Sequence, residues 1–357
     1  MASVVALEIL EPKVVVAVLD EKKIENYEGF ISARVPPAHF RVSSSVLDQS
    51  DFNGVDLDSL SDVVLITPIN RCRYINKILE AANTAVKKEA TLILRFETNN
   101  QRSRRLYEKY PVGLNYPVLL ADFVIHRFFP KFILTKAAYF SVTKGRTRVL
   151  SLAEPLGRLI SCGFKIKEVE EVGKMTYVSA TKVQEPVFDQ APTYGPIVKM
   201  NRVGYGGKLI KVYKIRTMHP FAEYLQDYMM QTNGLAKSGK FKHDFRVTGW
   251  GRFLRKTWLD ELPMIANWWK GDLKLIGVRP ITEHYLSQYP EDLIAKRRKV
   301  KPGLIPPFYA DLPGSAEEIV ISELNYLDAY AESPILTDLK YLRRAVFNIV
   351  FRGARSS

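Results

Sequence analysis

Two adjacent carboxylates, Asp260 and Glu261, stand in the run Arg255-Lys256-Thr257-Trp258-Leu259-Asp260-Glu261-Leu262-Pro263. Lys270-Gly271-Asp272 and Gly277-Val278-Arg279-Pro280 follow closely. A free aspartate has a pKa of roughly 3.9, so it is ionised at neutral pH and can act as a nucleophile. Flanking arginines offer forked donors that match phosphate oxygens. Cations and a metal would let such an anion approach a phosphorus that is itself negatively charged. The combination points to phosphoryl-group chemistry. A plainer account also fits: Thr257-x-x-Asp260 has capping-box spacing, and Pro263 is tolerated only in a first helical turn. Both carboxylates then lie near a helix N-terminus, whose dipole favours the ionised form. Taken locally, capping is the commoner use of such a pattern.

Positioning these residues requires elements on both sides. Gly195-Pro196 opens a strand, IVKMNRVG, and Gly204-Tyr205-Gly206-Gly207 makes a tight turn into a second strand, Lys208–Ile215, that ends in Arg216-Thr217-Met218. Glycine turns of this kind more often set hairpin geometry than cradle a phosphate. Farther upstream the pattern alternates. Strands are expected at Val14–Leu19, Asp62–Thr67, Thr91–Phe96 and Met175–Thr181, with helical spacing over Ile75–Lys87 and Gln101–Tyr110. That alternation predicts an open α/β sheet. The segment GRLISCGFKIKEVEEVGKMTYVSATK reads as a helix and a closing hairpin, which resembles the end of class I methyltransferases over about 40 residues. No Gly-x-Gly loop follows an early strand, so a Rossmann-like scaffold without its nucleotide is expected. A Pro-rich polar stretch, Val183-Gln184-Glu185-Pro186 to Gln190-Ala191-Pro192, marks a boundary. The expected organisation is a domain at 1–183, a linker at 184–194 and a second domain at 195–357.

Length and composition bound the rest. The 357 residues suit two domains, and 46% hydrophobic with 25% charged content is globular. Two cysteines, Cys72 and Cys162, exclude a disulfide framework and fit a reducing cytosol. The opening residues carry no basic region before an apolar run, so no signal peptide is expected. Net charge is +14, and residues 195–357 hold 26 Lys/Arg against 16 Asp/Glu, or +10 of it. Such an excess suits nucleic acid, an anionic membrane surface or a phosphorylated substrate, but no nucleic-acid module is present. His219 and His243 lack metal-ligand spacing. No run of about 18 uncharged apolar residues exists, so no spanning helix is expected. Two basic-apolar stretches, Val118–Phe140 and Tyr341–Arg355, could lie flat in a headgroup layer or form core helices with a basic face.

In order, GPIVKMNRVG, GGKLIKVYKIRTM, DFRVTGWGRFLRKTWLDELP, NWWKGDLKLIGVRP and RRKVKPG resemble the bacterial sugar transferases over roughly residues 195–350. These are monotopic polyprenyl-phosphate hexose-1-phosphate transferases. The resemblance implies a C-terminal α+β catalytic domain beside the N-terminal Rossmann-like α/β domain. It also implies a two-step exchange, in which an aspartate attacks the β-phosphorus of a UDP-sugar, expels UMP, and passes the phosphosugar to polyprenyl phosphate. Carried over by motif, Asp260 is the nucleophile and Glu261 helps bind Mg²⁺. Arg255 and Arg279 hold phosphate oxygens, and Lys214 of VYKIRTM makes a further phosphate or nucleotide contact. Expected partners are a UDP-sugar, polyprenyl (undecaprenyl) phosphate and the cytoplasmic face of the inner membrane, bound peripherally, with a homodimer left open. Trp258, Trp268 and Trp269 are assigned to packing rather than to sugar.

The chain departs from the family pattern twice. The apolar membrane hairpin expected before the GP-I/V strand is replaced by charged FKIKEVEEVGKMTYVSATKVQEPVFDQAPTY, which cannot enter hydrocarbon cheaply. After KPG, a Gly-Trp-rich continuation is replaced by Leu304-Ile305-Pro306-Pro307-Phe308-Tyr309-Ala310-Asp311. Attachment through Val118–Phe140, Ile305–Tyr309 or the C-terminal helix would compensate for the first. A rival of another class is a non-catalytic, nucleotide-sugar-binding scaffold in a polysaccharide assembly complex.

Overall fold

A computed structural model describes residues 25–35, 40–42, 62–131, 133–188, 195–232 and 244–354. The expected strand Val14–Leu19 lies outside the described residues. The chain forms two compact units that do not follow its linear order. The first holds the described residues up to 188 together with 219–232 and 244–246, and the second holds 195–218 and 247–354.

The first unit is built on a five-stranded mixed sheet. Its elements are α1 (Glu25–Ser32), β1 (Phe40–Val42), β2 (Asp62–Leu65), α2 (Ile75–Ala85), β3 (Thr91–Phe96), α3 (Asn99–Lys109), α4 (Asn115–Phe123), α5 (Ile133–Thr143), α6 (Ala153–Ser161), β4 (Phe164–Val172) and β5 (Met175–Lys182). The order is β1-β2-β3-β5-β4, with β1, β2 and β3 parallel and β5 antiparallel to both β3 and β4. Side chains alternate across the sheet as a period of two requires. Val63, Leu65, Leu92, Leu94 and Phe96 meet α2 and α6 in one core, while Val64, Ile66 and Ile93 meet Phe30 and Ile31 in another. Both faces of β2 and β3 are covered, so these two strands are mostly apolar. The charged segment that precedes residue 195 includes β4 and β5, the closing hairpin of this sheet.

The first unit also takes in α7 (Gln226–Thr232) and the turn before it, which come from far downstream in the sequence. Leu225 and Met229 are fully buried in the larger core. Phe221 lies under the Arg158 guanidinium, 4.3 Å from its ring centre. Gly157 of α6 approaches so closely that a Cβ there would come within 2.2 Å of the Phe221 carbonyl oxygen. Deleting a buried leucine side chain costs about 2–5 kcal/mol. Leu225→Ala is therefore expected to lower hydrogen-exchange protection in α2 and α6, although position 225 lies far downstream of both helices in the sequence. Unchanged protection there would refute the packing.

The second unit holds β6 (Ile197–Val203), β7 (Leu209–Ile215), α8 (Gly249–Thr257), α9 (Met264–Trp269), β8 (Lys274–Ile276), α10 (Glu283–Leu286), α11 (Glu291–Arg298), β9 (Gly303–Ile305), α12 (Phe308–Asp311), α13 (Ala316–Glu332) and α14 (Pro334–Phe351). β6 and β7 form the expected antiparallel hairpin, and its glycines act as turn formers, with Gly206 and Gly207 at positive φ. β8 and β9 pair in parallel and bring the GVRP and KPG motifs together. Gly277 and Gly303 make that crossing feasible, since a Cβ on Gly303 would lie 2.1 Å from the Gly277 nitrogen. Tyr326, fully buried, anchors α13 by donating to Asp338 Oδ1 at 2.6 Å.

Candidate active site

The site is assembled from β7, α8 and the turn that follows α8. Thr217 sits just past β7, and its carbonyl accepts from the Thr248 backbone N–H at 2.9 Å. Thr248 caps α8, its hydroxyl oxygen accepting from Gly251 N–H at 2.7 Å, as an N-cap threonine should. A Cβ on Gly251 would meet the Thr217 carbonyl oxygen at 2.0 Å, so this approach needs glycine. Arg255, one turn along α8, donates from Nε to Thr217 Oγ1 at 3.0 Å. β7 and α8 are thereby fixed to each other.

After Thr257 the helix stops abruptly. Trp258 takes a left-handed conformation, φ 63°, and a 3₁₀ turn over Leu259–Glu261 follows. Such a φ is costly for a side chain of this size, on the order of 1–3 kcal/mol, and is held by stacking of Trp258 on Tyr309 at 4.4 Å. The reversal turns Asp260 inward to 5% exposure. The capping-box reading fails here: Thr257 ends α8 and donates back to the Phe253 carbonyl, and neither carboxylate caps a helix. Pro263 lies immediately before α9.

Asp260 Oδ1 is buried with no hydrogen-bond partner. Burial raises the Asp260 pKa above the ordinary aspartate value, Glu261 adds to the rise, and Lys214 and Arg255 oppose it. Lys214 Nζ lies 2.6 Å from Glu261 Oε1, with both side chains mostly buried. The structure thus brings Asp260, Glu261, Lys214 and Arg255 into one electrostatic group. Arg279 has other neighbours. Its carbonyl accepts from Arg297, whose guanidinium also pairs with the buried Glu323. It makes no ion pair with Asp260 or Glu261 among the described residues.

Asn267 was not singled out by the sequence, although it stands in the motif NWWKGD. It is fully buried on α9. Its Nδ2 donates to the Lys211 carbonyl at 2.7 Å and its Oδ1 accepts from Tyr213 N–H at 3.0 Å. A lone amide in an aromatic helix was the available signal, since a buried polar group must find partners. Asn267→Ala would strand two backbone groups at about 1–3 kcal/mol each. A loss of about 2–4 kcal/mol in urea unfolding of the full chain is expected, and a loss below about 0.5 kcal/mol would show the bonds to be dispensable. Of the three tryptophans assigned to packing, Trp258 packs, whereas Trp269 is 87% exposed.

The described residues contain no group of three His, Cys, Asp or Glu that could cage a metal. A Mg²⁺ ion commonly uses only one or two carboxylates together with substrate phosphates. Two adjacent carboxylates, one bearing an orphaned buried oxygen, fit an ion of that kind.

This constellation falls in a segment with known relatives. Residues 188–352 match the family model of the bacterial sugar transferases. The chain is 41% identical over 97 residues to the undecaprenyl-phosphate galactose phosphotransferase of Salmonella typhimurium, covering 26% of this chain and 20% of that protein. It is 42% identical over 106 residues to a putative undecaprenyl-phosphate N-acetylgalactosaminyl 1-phosphate transferase of Bacillus subtilis, covering 28% and 52%. It is 32% identical over 170 residues to the UDP-glucose:undecaprenyl-phosphate glucose-1-phosphate transferase of Escherichia coli, covering 44% and 33%. The chain spans a fifth to about half of the length of these relatives. A solved O-methyltransferase family protein from Burkholderia thailandensis aligns over 41% of this chain and 36% of its own, at 18% identity and TM-score 0.25. A similarity at that level says nothing about activity.

Proposed function

We propose that the chain transfers a sugar-1-phosphate from a UDP-sugar to polyprenyl phosphate through a covalent intermediate on Asp260. One observation carries the reading: a buried carboxylate with an orphaned oxygen stands among Lys214, Glu261 and Arg255, inside the segment matched to the sugar transferases. A buried carboxylate oxygen without a hydrogen bond is expensive unless it serves a purpose. The names of the relatives, all transferases acting on undecaprenyl phosphate, support an enzyme over a scaffold.

In the first step an Asp260 oxygen bonds to the β-phosphorus of the UDP-sugar. The bond from that phosphorus to the bridging oxygen breaks, and UMP leaves with the electron pair. In the second step an oxygen of polyprenyl phosphate attacks the same phosphorus, and the Asp260 carboxylate departs unprotonated. Arg255 supplies forked donors to phosphate oxygens. Lys214 holds Glu261 and opposes the rise that burial causes in the Asp260 pKa. Glu261 would hold Mg²⁺ with the diphosphate, and that ion would neutralise charge as phosphorus is attacked. Arg279 would meet phosphate oxygens only where the bound substrate extends to it.

The acceptor's lipid tail has apolar surface to meet, since Phe253, Leu262, Ile265 and Trp268 on α8, α9 and the turn between them are exposed. Among the described residues no helix is long and apolar enough to cross a membrane, and attachment to the cytoplasmic face at the surface belongs to the same proposal. The test is UMP release over a panel of UDP-sugars, with and without undecaprenyl phosphate. Release from at least one donor is expected, and none from any donor in folded protein would overturn the assignment.

A further inference from the structure

Residues 111–148 of the first unit are apolar in composition yet contribute little to its core. Across α4, the π-helical turn Val124–Phe128 and α5, Asn115 and Tyr139 are the only buried side chains among the described residues. Leu134 is 92% exposed and Leu120 65% exposed, and Val112, Tyr116 and Val142 are also open to solvent. A core helix over Val118–Phe140, one of the two sequence-based readings, is therefore not formed. The backbone runs from α4 through the π turn into a 3₁₀ turn at Phe129–Lys131, and a His126–Tyr139 hydrogen bond of 3.0 Å ties α5 back to it. The two helices are thus held as one preformed surface.

Charge distinguishes what could cover that surface. Residues 99–148 contain 10 Lys/Arg and 2 Asp/Glu. Both acids are already engaged, Asp122 by Arg102 at 2.6 Å and Glu108 by Lys174 at 3.3 Å. Lys136, Lys144 and Arg146 are exposed and form no ion pair among the described residues. A group of exposed apolar side chains beside cationic ones is the composition of an interaction surface. A second copy would set one cationic face against another. An anionic bilayer interface removes apolar side chains from water and neutralises the lysines and arginines at once.

We propose that α4 and α5 form a docking surface for anionic phospholipid, independent of the catalytic unit. The inference deepens the proposed function by giving the lipid-borne acceptor a protein held at its membrane, but the charge and exposure carry it without that reaction. Both native cysteines are buried, so a single surface cysteine can be labelled selectively. Full-length Leu134→Cys carrying an environment-sensitive fluorophore is mixed with phosphatidylglycerol/phosphatidylethanolamine vesicles that lack polyprenyl phosphate and UDP-sugar. A blue-shifted, brightened signal is expected with these vesicles, but not with phosphatidylcholine vesicles or with label at Lys88→Cys. The Leu120→Glu/Lys136→Glu variant, labelled at position 134, is expected to need about tenfold more lipid for the same signal. No change at position 134 with anionic vesicles overturns the proposal. So does a change that follows protein concentration without lipid, which would assign the face to a second copy. UMP release with detergent-solubilised acceptor is measured in parallel. Its failure refutes the reaction and leaves the vesicle result standing.

Discussion

Asp260→Asn is expected to abolish UMP release, by about 10⁴-fold or more, the scale seen when a covalent nucleophile is removed. Asp272→Asn is expected to retain most of the activity, because Asp272 only accepts from Asn267 at 3.2 Å and an amide oxygen can do the same. Stability separates a catalytic from a structural role. Burial raises the Asp260 pKa in the folded chain, so the folded state holds the proton more tightly than the unfolded state. That makes ionised Asp260 a liability above the unfolded pKa of roughly 3.9, and the cost grows with pH until the folded pKa is passed. Asp260→Asn is therefore expected to melt no lower than the parent at pH 7–8, and the difference should fade on acidification. Full activity in the variant would remove Asp260 as nucleophile, while a large drop in melting temperature would make its role structural.

The second large effect is expected from Lys214→Met. Lys214 touches Glu261 at 2.6 Å and opposes the rise in the Asp260 pKa. Without it, two neighbouring carboxylates face each other with only Arg255 to compensate, and like charges held close resist joint ionisation. UMP release at neutral pH should fall by about 10²–10³-fold, as when one preorganised donor is lost. The acid limb of the rate profile should also move to higher pH, because the nucleophile is active only when ionised. Lys214→Arg should restore the position of that limb at least in part. A uniformly lowered rate with an unmoved limb would show that Lys214 acts only on bound substrate.

Much of the first unit could be read in advance, since β3 falls on the expected Thr91–Phe96 and β5, Met175–Lys182, extends the expected Met175–Thr181 by one residue. Apolar strands covered on both faces announce themselves through β-branched runs. The hairpin of β6 and β7 was equally plain from its glycine turn. Asp260, by contrast, was legible as a residue and misleading as a pattern. Its inward turn depends on the left-handed Trp258, a conformation that sequence reasoning reserves for glycine. The burial of Phe221, Leu225 and Met229 was hidden for another reason. Their spacing shows that they need a core and cannot show which core. Arg297 and Glu323 escaped notice because 26 residues separate two partners that meet only through the packing of α11 on α13.

Residues 219–232 and 244–246, between Met218 and Val247 of the second unit, belong to the first, where Leu225 and Met229 enter its core. Its two ends run directly into Thr217 and Thr248, which anchor Arg255. A fragment stopped near residue 194 would carry an unfilled sheet, and a fragment begun there would expose a greasy loop. Neither half is a natural product of a single cleavage. Exchange of parts with a homologue would preserve both only if the donor brought its own plug with a matching socket. The threading makes the chain one inheritable object.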